Sequence, residues 1–89
     1  MDLAPSEAWV KEGGEWVNKA AAEVSVGQIM IVKPGEKIPL DGEVIAGDSS
    51  VNQAPITGES LPVDKAPGDP VYAGTVNQNG SLEIRVTKM

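Results

Sequence analysis

Apolar and polar residues alternate along this chain in short runs, each broken by Gly, Pro, Asn or Asp, which is a β signature. The clearest case lies near the end. Leu82, Ile84 and Val86 are interleaved with Glu83, Arg85 and Thr87, predicting a strand with one buried face. Ala8–Lys11 and Glu15–Asn18 flank Gly13-Gly14 and predict a hairpin. Ile29–Val32 is a continuous apolar run stopped by Pro34-Gly35, and it predicts a buried strand. Asp41-Gly42 is a turn before the strand Glu43–Ala46, and Gly47-Asp48 turns the chain again before a brief extension over Ser49–Asn52. Pro62–Lys65 is extended, Ala66–Asp69 turns, and Val71–Ala73 and Thr75–Asn77 are short strands split at Gly74. Asn79-Gly80 predicts a second hairpin, leading into the last strand. Asn18–Val24 has helical character through its alanines but is too short for more than a helical turn or loop.

Roughly eight short strands with little or no helix predict one all-β domain over residues 1–89, a β-sandwich or small barrel. With no Phe, its core is expected to rest on Val, Ile and Leu together with Trp9 and Trp16. Those two tryptophans occupy corresponding positions on the first hairpin, which favours packing across it over ligand stacking.

Composition narrows the chemistry. The chain has no Cys and no His, so disulfides, thiolate sites and an imidazole base are excluded. Thirteen acidic and seven basic residues give a net charge of −6, the wrong sign for a nucleic-acid partner. No apolar run reaches membrane-spanning length, and no signal peptide is visible, so the chain as given is expected to be soluble and cytoplasmic. Candidate chemistry is concentrated in Thr57-Gly58-Glu59-Ser60, a carboxylate beside a glycine and between two hydroxyls, with Pro55 and Pro62 outside them. Glu59 can orient a water molecule or take its proton, and Gly58 lets the backbone approach another surface. Taken alone, the tetrapeptide is a polar turn.

Its neighbours change that reading. Val32-Lys33-Pro34-Gly35-Glu36-Lys37-Ile38-Pro39-Leu40-Asp41-Gly42 precedes it, Ile56–Lys65 contains it, and Gly68-Asp69-Pro70-Val71-Tyr72-Ala73-Gly74-Thr75-Val76-Asn77 follows. Together these three ordered blocks closely resemble the actuator domain of P-type ATPases, ion pumps that pass through an aspartyl-phosphate intermediate. The resemblance runs from about Leu3 to Lys88, essentially the whole chain. Within that family, Asn52–Ser60 looks most like the heavy-metal pumps, and more like the zinc/cadmium/lead/cobalt branch than the copper branch. Gln28 and Pro70 depart from the family's usual residues at turn or edge positions, where local effects are expected.

The resemblance implies a distorted jelly-roll-like β-sandwich and a role in dephosphorylation. The loop would swing against a phosphorylated aspartate on a separate phosphorylation domain, where Glu59 would position and deprotonate the attacking water. Gly58 would permit close approach, and Thr57 and Ser60 would shape the loop or bond phosphoryl oxygens. Lys65 is a candidate interdomain contact, though a solvated strand-end lysine is the plainer reading. Magnesium and ATP would be required by the full-length pump through other domains, with no cofactor or metal held by this one. Its partners would be the phosphorylation and nucleotide-binding domains and the membrane helices of the same pump. The isolated domain is expected to be monomeric and inactive, a cytoplasmic piece excised from an integral membrane protein.

Two other readings compete. Val63-Asp64-Lys65-Ala66 looks like the modified segment of lipoyl carrier domains, which would place Lys65 at an exposed hairpin tip. A β-sandwich interaction module without chemistry would make the Thr57–Ser60 loop replaceable by any turn.

Overall fold

A computed structural model describes residues 7–54, 58 and 61–88. In chain order the strands are β1 (Glu7–Glu12), β2 (Glu15–Ala20), β3 (Ile29–Val32), β4 (Gly42–Ala46), β5 (Ser49–Asn52), β6 (Pro62–Lys65), β7 (Pro70–Val71), β8 (Val76–Asn77) and β9 (Leu82–Val86). They form a six-stranded sheet, ordered β2-β1-β3-β9-β4-β7, and a three-stranded sheet, ordered β6-β5-β8. The expected all-β, two-sheet architecture is present, with nine described strands rather than eight. The segment with helical character divides: Asn18–Ala20 lengthen β2, and Ala21–Glu23 form one 3-10 turn. No helix among the described residues is long and apolar enough to cross a membrane.

The first hairpin forms as its glycines require. Glu12 pairs with Glu15, and Gly13 and Gly14 both take positive φ, at 60° and 84°, the twist that a two-residue hairpin turn needs. Pro70 sits in β7 at the edge of the large sheet, where a missing N–H costs no ladder bond.

One face of the large sheet builds the core. Ala8 and Val10, Met30 and Val32, Val44, and Leu82, Ile84 and Val86 all point to it, and Val24, Ile38, Val51 and Val71 close it over. Fully burying such a side chain contributes about 1.5–3 kcal/mol. The β3 run therefore alternates: Met30 and Val32 are buried, while Ile29 and Ile31 are half-buried on the outer face. The tryptophans correct the expectation. The register sets Trp9 opposite Asn18 and Trp16 opposite Lys11, so the two are diagonal rather than paired. Both lie on the outer face. Trp9 is 45% exposed, and the Lys11 ammonium lies 5.9 Å from the Trp16 ring centre. The core rests on aliphatic residues.

Asn79-Gly80 corrects a second expectation, because it is not a hairpin turn. β8 pairs with β5 in the small sheet, whereas β9 pairs with β3 and β4 in the large one. The dipeptide is where the chain returns from the small sheet to the large. It packs against the outward crossing at Gly47-Asp48, so closely that a Cβ on Gly80 would lie 2.4 Å from the Asp48 carbonyl oxygen. Asn77, fully buried, ties this junction together. Its Nδ2 donates to the Val32 carbonyl at 3.0 Å and the Gly80 carbonyl at 2.6 Å, while its Oδ1 accepts from Ser49 Oγ. Ser49 Oγ in turn accepts from the Gly80 N–H at 3.0 Å. The small sheet is thus fixed to the large one by polar groups that have no solvent to turn to.

Candidate functional site

The candidate loop joins β5 to β6, so it is the connection of a hairpin in the small sheet. Ser49, Ser50, Val51 and Asn52 pair with Lys65, Asp64, Val63 and Pro62 in turn. β5 is the middle strand, held on its other side by β8 through Val51↔Asn77 and Asn52↔Val76. Pro62 opens the edge strand β6, where its missing N–H is tolerated. The base of the loop is therefore clamped from both sides, and Val51 beneath it is fully buried.

Thr57, Glu59 and Ser60 lie outside the described residues. Gly58 is described, and it is exposed. Its φ is +80°, in the left-handed region that a side chain disfavours, and a Cβ there would meet nothing within 4 Å. Within this chain, then, conformation rather than crowding requires the glycine. The Gly58 N–H donates to the Ala54 carbonyl at 2.9 Å, four residues back. The Ala54 N–H donates to Asn52 Oδ1, also at 2.9 Å. Sequence reasoning gave Asn52 no role. The available signal was its type: an Asn at the end of a strand and ahead of a loop is well suited to accept from the N–H two residues on.

Lys65 is buried rather than solvated, at 8% exposure, with its ammonium 5.7 Å from the Tyr72 ring centre. It closes β6, at the opposite end of the strand from the loop. A lipoyl-bearing lysine must stand at an exposed tip, so this placement removes that reading. Near it, Asp48, Asp64, Asp69 and Asn79 line a shallow cavity of about 430 Å³. Asp69 is already committed locally, its Oδ2 accepting from the Ala66 N–H at 2.9 Å. Asp41 is structural, as expected of its turn: its Oδ1 accepts from the Ala73 N–H at 2.7 Å. Among the described residues no group of three or more His, Cys, Asp or Glu could hold a metal ion.

The family model of the P-type ATPase actuator domain matches residues 2–89. A probable cadmium-transporting ATPase of Alkalihalophilus pseudofirmus is 53% identical over 89 residues, covering 100% of this chain and 12% of that protein. A probable copper-transporting ATPase, PacS, of Synechocystis is 48% identical over 89 residues, again 100% of this chain and 12% of the relative. Among solved structures, a zinc-transporting PIB-type ATPase in the E2·Pi state superposes with a TM-score of 0.91 at 30% identity, over 97% of this chain and 14% of that one. The chain thus spans about an eighth of the length of the curated relatives it matches. With the family model matching nearly the whole chain and the fold shared at this TM-score, the chain belongs to the P-type ATPase actuator domains.

Proposed function

We propose that this domain serves a heavy-metal cation P-type ATPase, of the zinc/cadmium kind rather than the copper kind, and that its Thr57–Ser60 loop drives hydrolysis of the aspartyl phosphate. The reaction is a phosphoryl transfer to water. The water oxygen attacks phosphorus, its proton passes to the Glu59 carboxylate, and the bond from phosphorus to the aspartyl oxygen breaks. Free phosphate and the aspartate carboxylate are released. A carboxylate is ionised at neutral pH and can accept that proton.

The observation that carries the reading is Gly58: an exposed residue in a left-handed conformation, at the end of a hairpin whose base is clamped between two strands. Such a loop can be pressed against a second surface without rearranging its carrier. The carboxylate would be repelled by a phosphoryl group, so cationic groups on the partner domain must offset that charge. Magnesium and ATP would enter through the phosphorylation and nucleotide-binding domains of the pump. The domain alone is then inactive, and it acts at the cytoplasmic face by docking and undocking as the membrane helices move.

The test is made in the full-length pump. Glu59→Gln should leave phosphoenzyme formation from ATP intact and slow its decay by about 100-fold, the low end of general-base contributions. Decay at the native rate would remove Glu59 from the step. Turnover stimulated by Zn²⁺ or Cd²⁺ supports the branch assignment, and stimulation by Cu⁺ alone refutes it.

A further inference from the structure

The geometry points to Asn52 as a positioning residue for the loop, an inference that rests on the proposed role of Glu59. Three observations combine. Asn52 is the last residue of the central strand β5, and its backbone is held on both sides, opposite Pro62 and opposite Val76. Its Oδ1 accepts from the Ala54 N–H, and the Ala54 carbonyl accepts from the Gly58 N–H, each at 2.9 Å. Gly58 is exposed, with φ at +80°. Two hydrogen bonds in series therefore run from a fixed strand to the residue immediately before Glu59.

The first bond sets where the chain leaves the strand. A side-chain oxygen accepting from the N–H two residues on is the arrangement that starts a helical turn. The second reaches back to Ala54 from Gly58, whose positive φ glycine adopts without strain. A catalytic carboxylate needs placing to within a fraction of an ångström, and a misplacement of 1 Å can cost about 100-fold. Asn52 would provide that placement from inside the domain, without touching the phosphate. The role needs an acceptor oxygen at this position and nothing else of the amide, so Asp serves as well as Asn.

Amide exchange tests the geometry directly in the 89-residue chain. Gly58 is an exposed residue, so protection of its amide reports the bond to Ala54. Asn52→Ala should speed its exchange by about fivefold, while Asn52→Asp leaves it unchanged. Unaltered exchange in Asn52→Ala overturns the inference. In the full-length pump, Asn52→Ala should slow phosphoenzyme decay by about tenfold with formation from ATP unchanged, and Asn52→Asp should restore decay. Equal slowing of formation and decay would mean a general loss of stability and would overturn the positioning role. Glu59→Gln is run alongside. If it slows decay and Asn52→Ala does not, the positioning role is wrong while Glu59 keeps its own. If Glu59→Gln decays natively, both fall together.

Discussion

Replacing Asn77 by Ala should be among the most damaging single changes in this domain. The side chain is fully buried and makes three hydrogen bonds, to the carbonyls of Val32 and Gly80 and with Ser49 Oγ. Each bond contributes about 1 kcal/mol net, and the partner groups left in the buried junction add a desolvation cost of up to about 2 kcal/mol together. The sum is a loss of about 3–5 kcal/mol. At about 0.05–0.15 kcal/mol per residue, a domain of this length has roughly 4–13 kcal/mol in all, so the variant is close to unfolding. Urea unfolding followed by tryptophan fluorescence reads the effect. With a slope near 1 kcal/mol per M, the midpoint should fall by about 3 M or more. Ser49→Ala should also be costly, about 2–4 kcal/mol, because it leaves Asn77 Oδ1 without that donor and the Gly80 N–H without that acceptor. The two changes should also be non-additive, the double variant losing less than their sum. A midpoint within about 0.5 M of the wild type for Asn77→Ala, or strict additivity, would refute the account of the junction.

Two further expectations concern the large sheet and its edge. Trp9→Ser should change stability by no more than about 0.5 kcal/mol, because Trp9 faces outward at 45% exposure, whereas Ile84→Ala should cost about 2–5 kcal/mol. Comparable losses in calorimetry would contradict the register of β1. Glu12 accepts from Lys19 Nζ at 2.7 Å and from Gln28 Nε2 at 3.2 Å, and these bonds, Lys19 first, hold its carboxyl below the ordinary 4.5. A folded-state value below the unfolded one gives stability that is present above pH 4.5 and lost as pH falls through the folded value. The small advantage of wild type over Glu12→Gln should therefore hold at neutral pH and fade in acid. An advantage that grew on acidification would reverse the sign of the argument.

Much of this structure was legible because local chemistry and final fold agree. Leu82, Ile84 and Val86 alternate in sequence and are all buried, and Gly13-Gly14 makes the turn its conformational freedom suggests. The errors come from long-range pairing. Asn79-Gly80 has hairpin chemistry, but β8 is already committed to β5, and the Asn79 side chain is spent on Ser50, its Nδ2 donating to Oγ at 2.7 Å. The tryptophans carry the most apolar surface, yet the sheet turns them outward because Ala8 and Val10 occupy the inner face of β1. Lys65 read as solvated because charge usually is, and its methylene stem beside Tyr72 has no sequence signature. At the site, the motif could name Gly58 but not its hydrogen bond to Ala54, since that bond depends on where Asn52 is held.

β9, the last of the nine described strands in chain order, sits in the middle of the six-stranded sheet. β9 alone joins the part built from β1, β2 and β3 to the part built from β4 and β7. A nascent chain halted before Leu82 would hold two sheet fragments with facing raw edges and no way to knit them. Such edges invite pairing with other chains. Synthesis therefore has to run past Val86 before any of the earlier strands is safe from a stranger, and a proteolytic cut near Ser81 should release both halves at once.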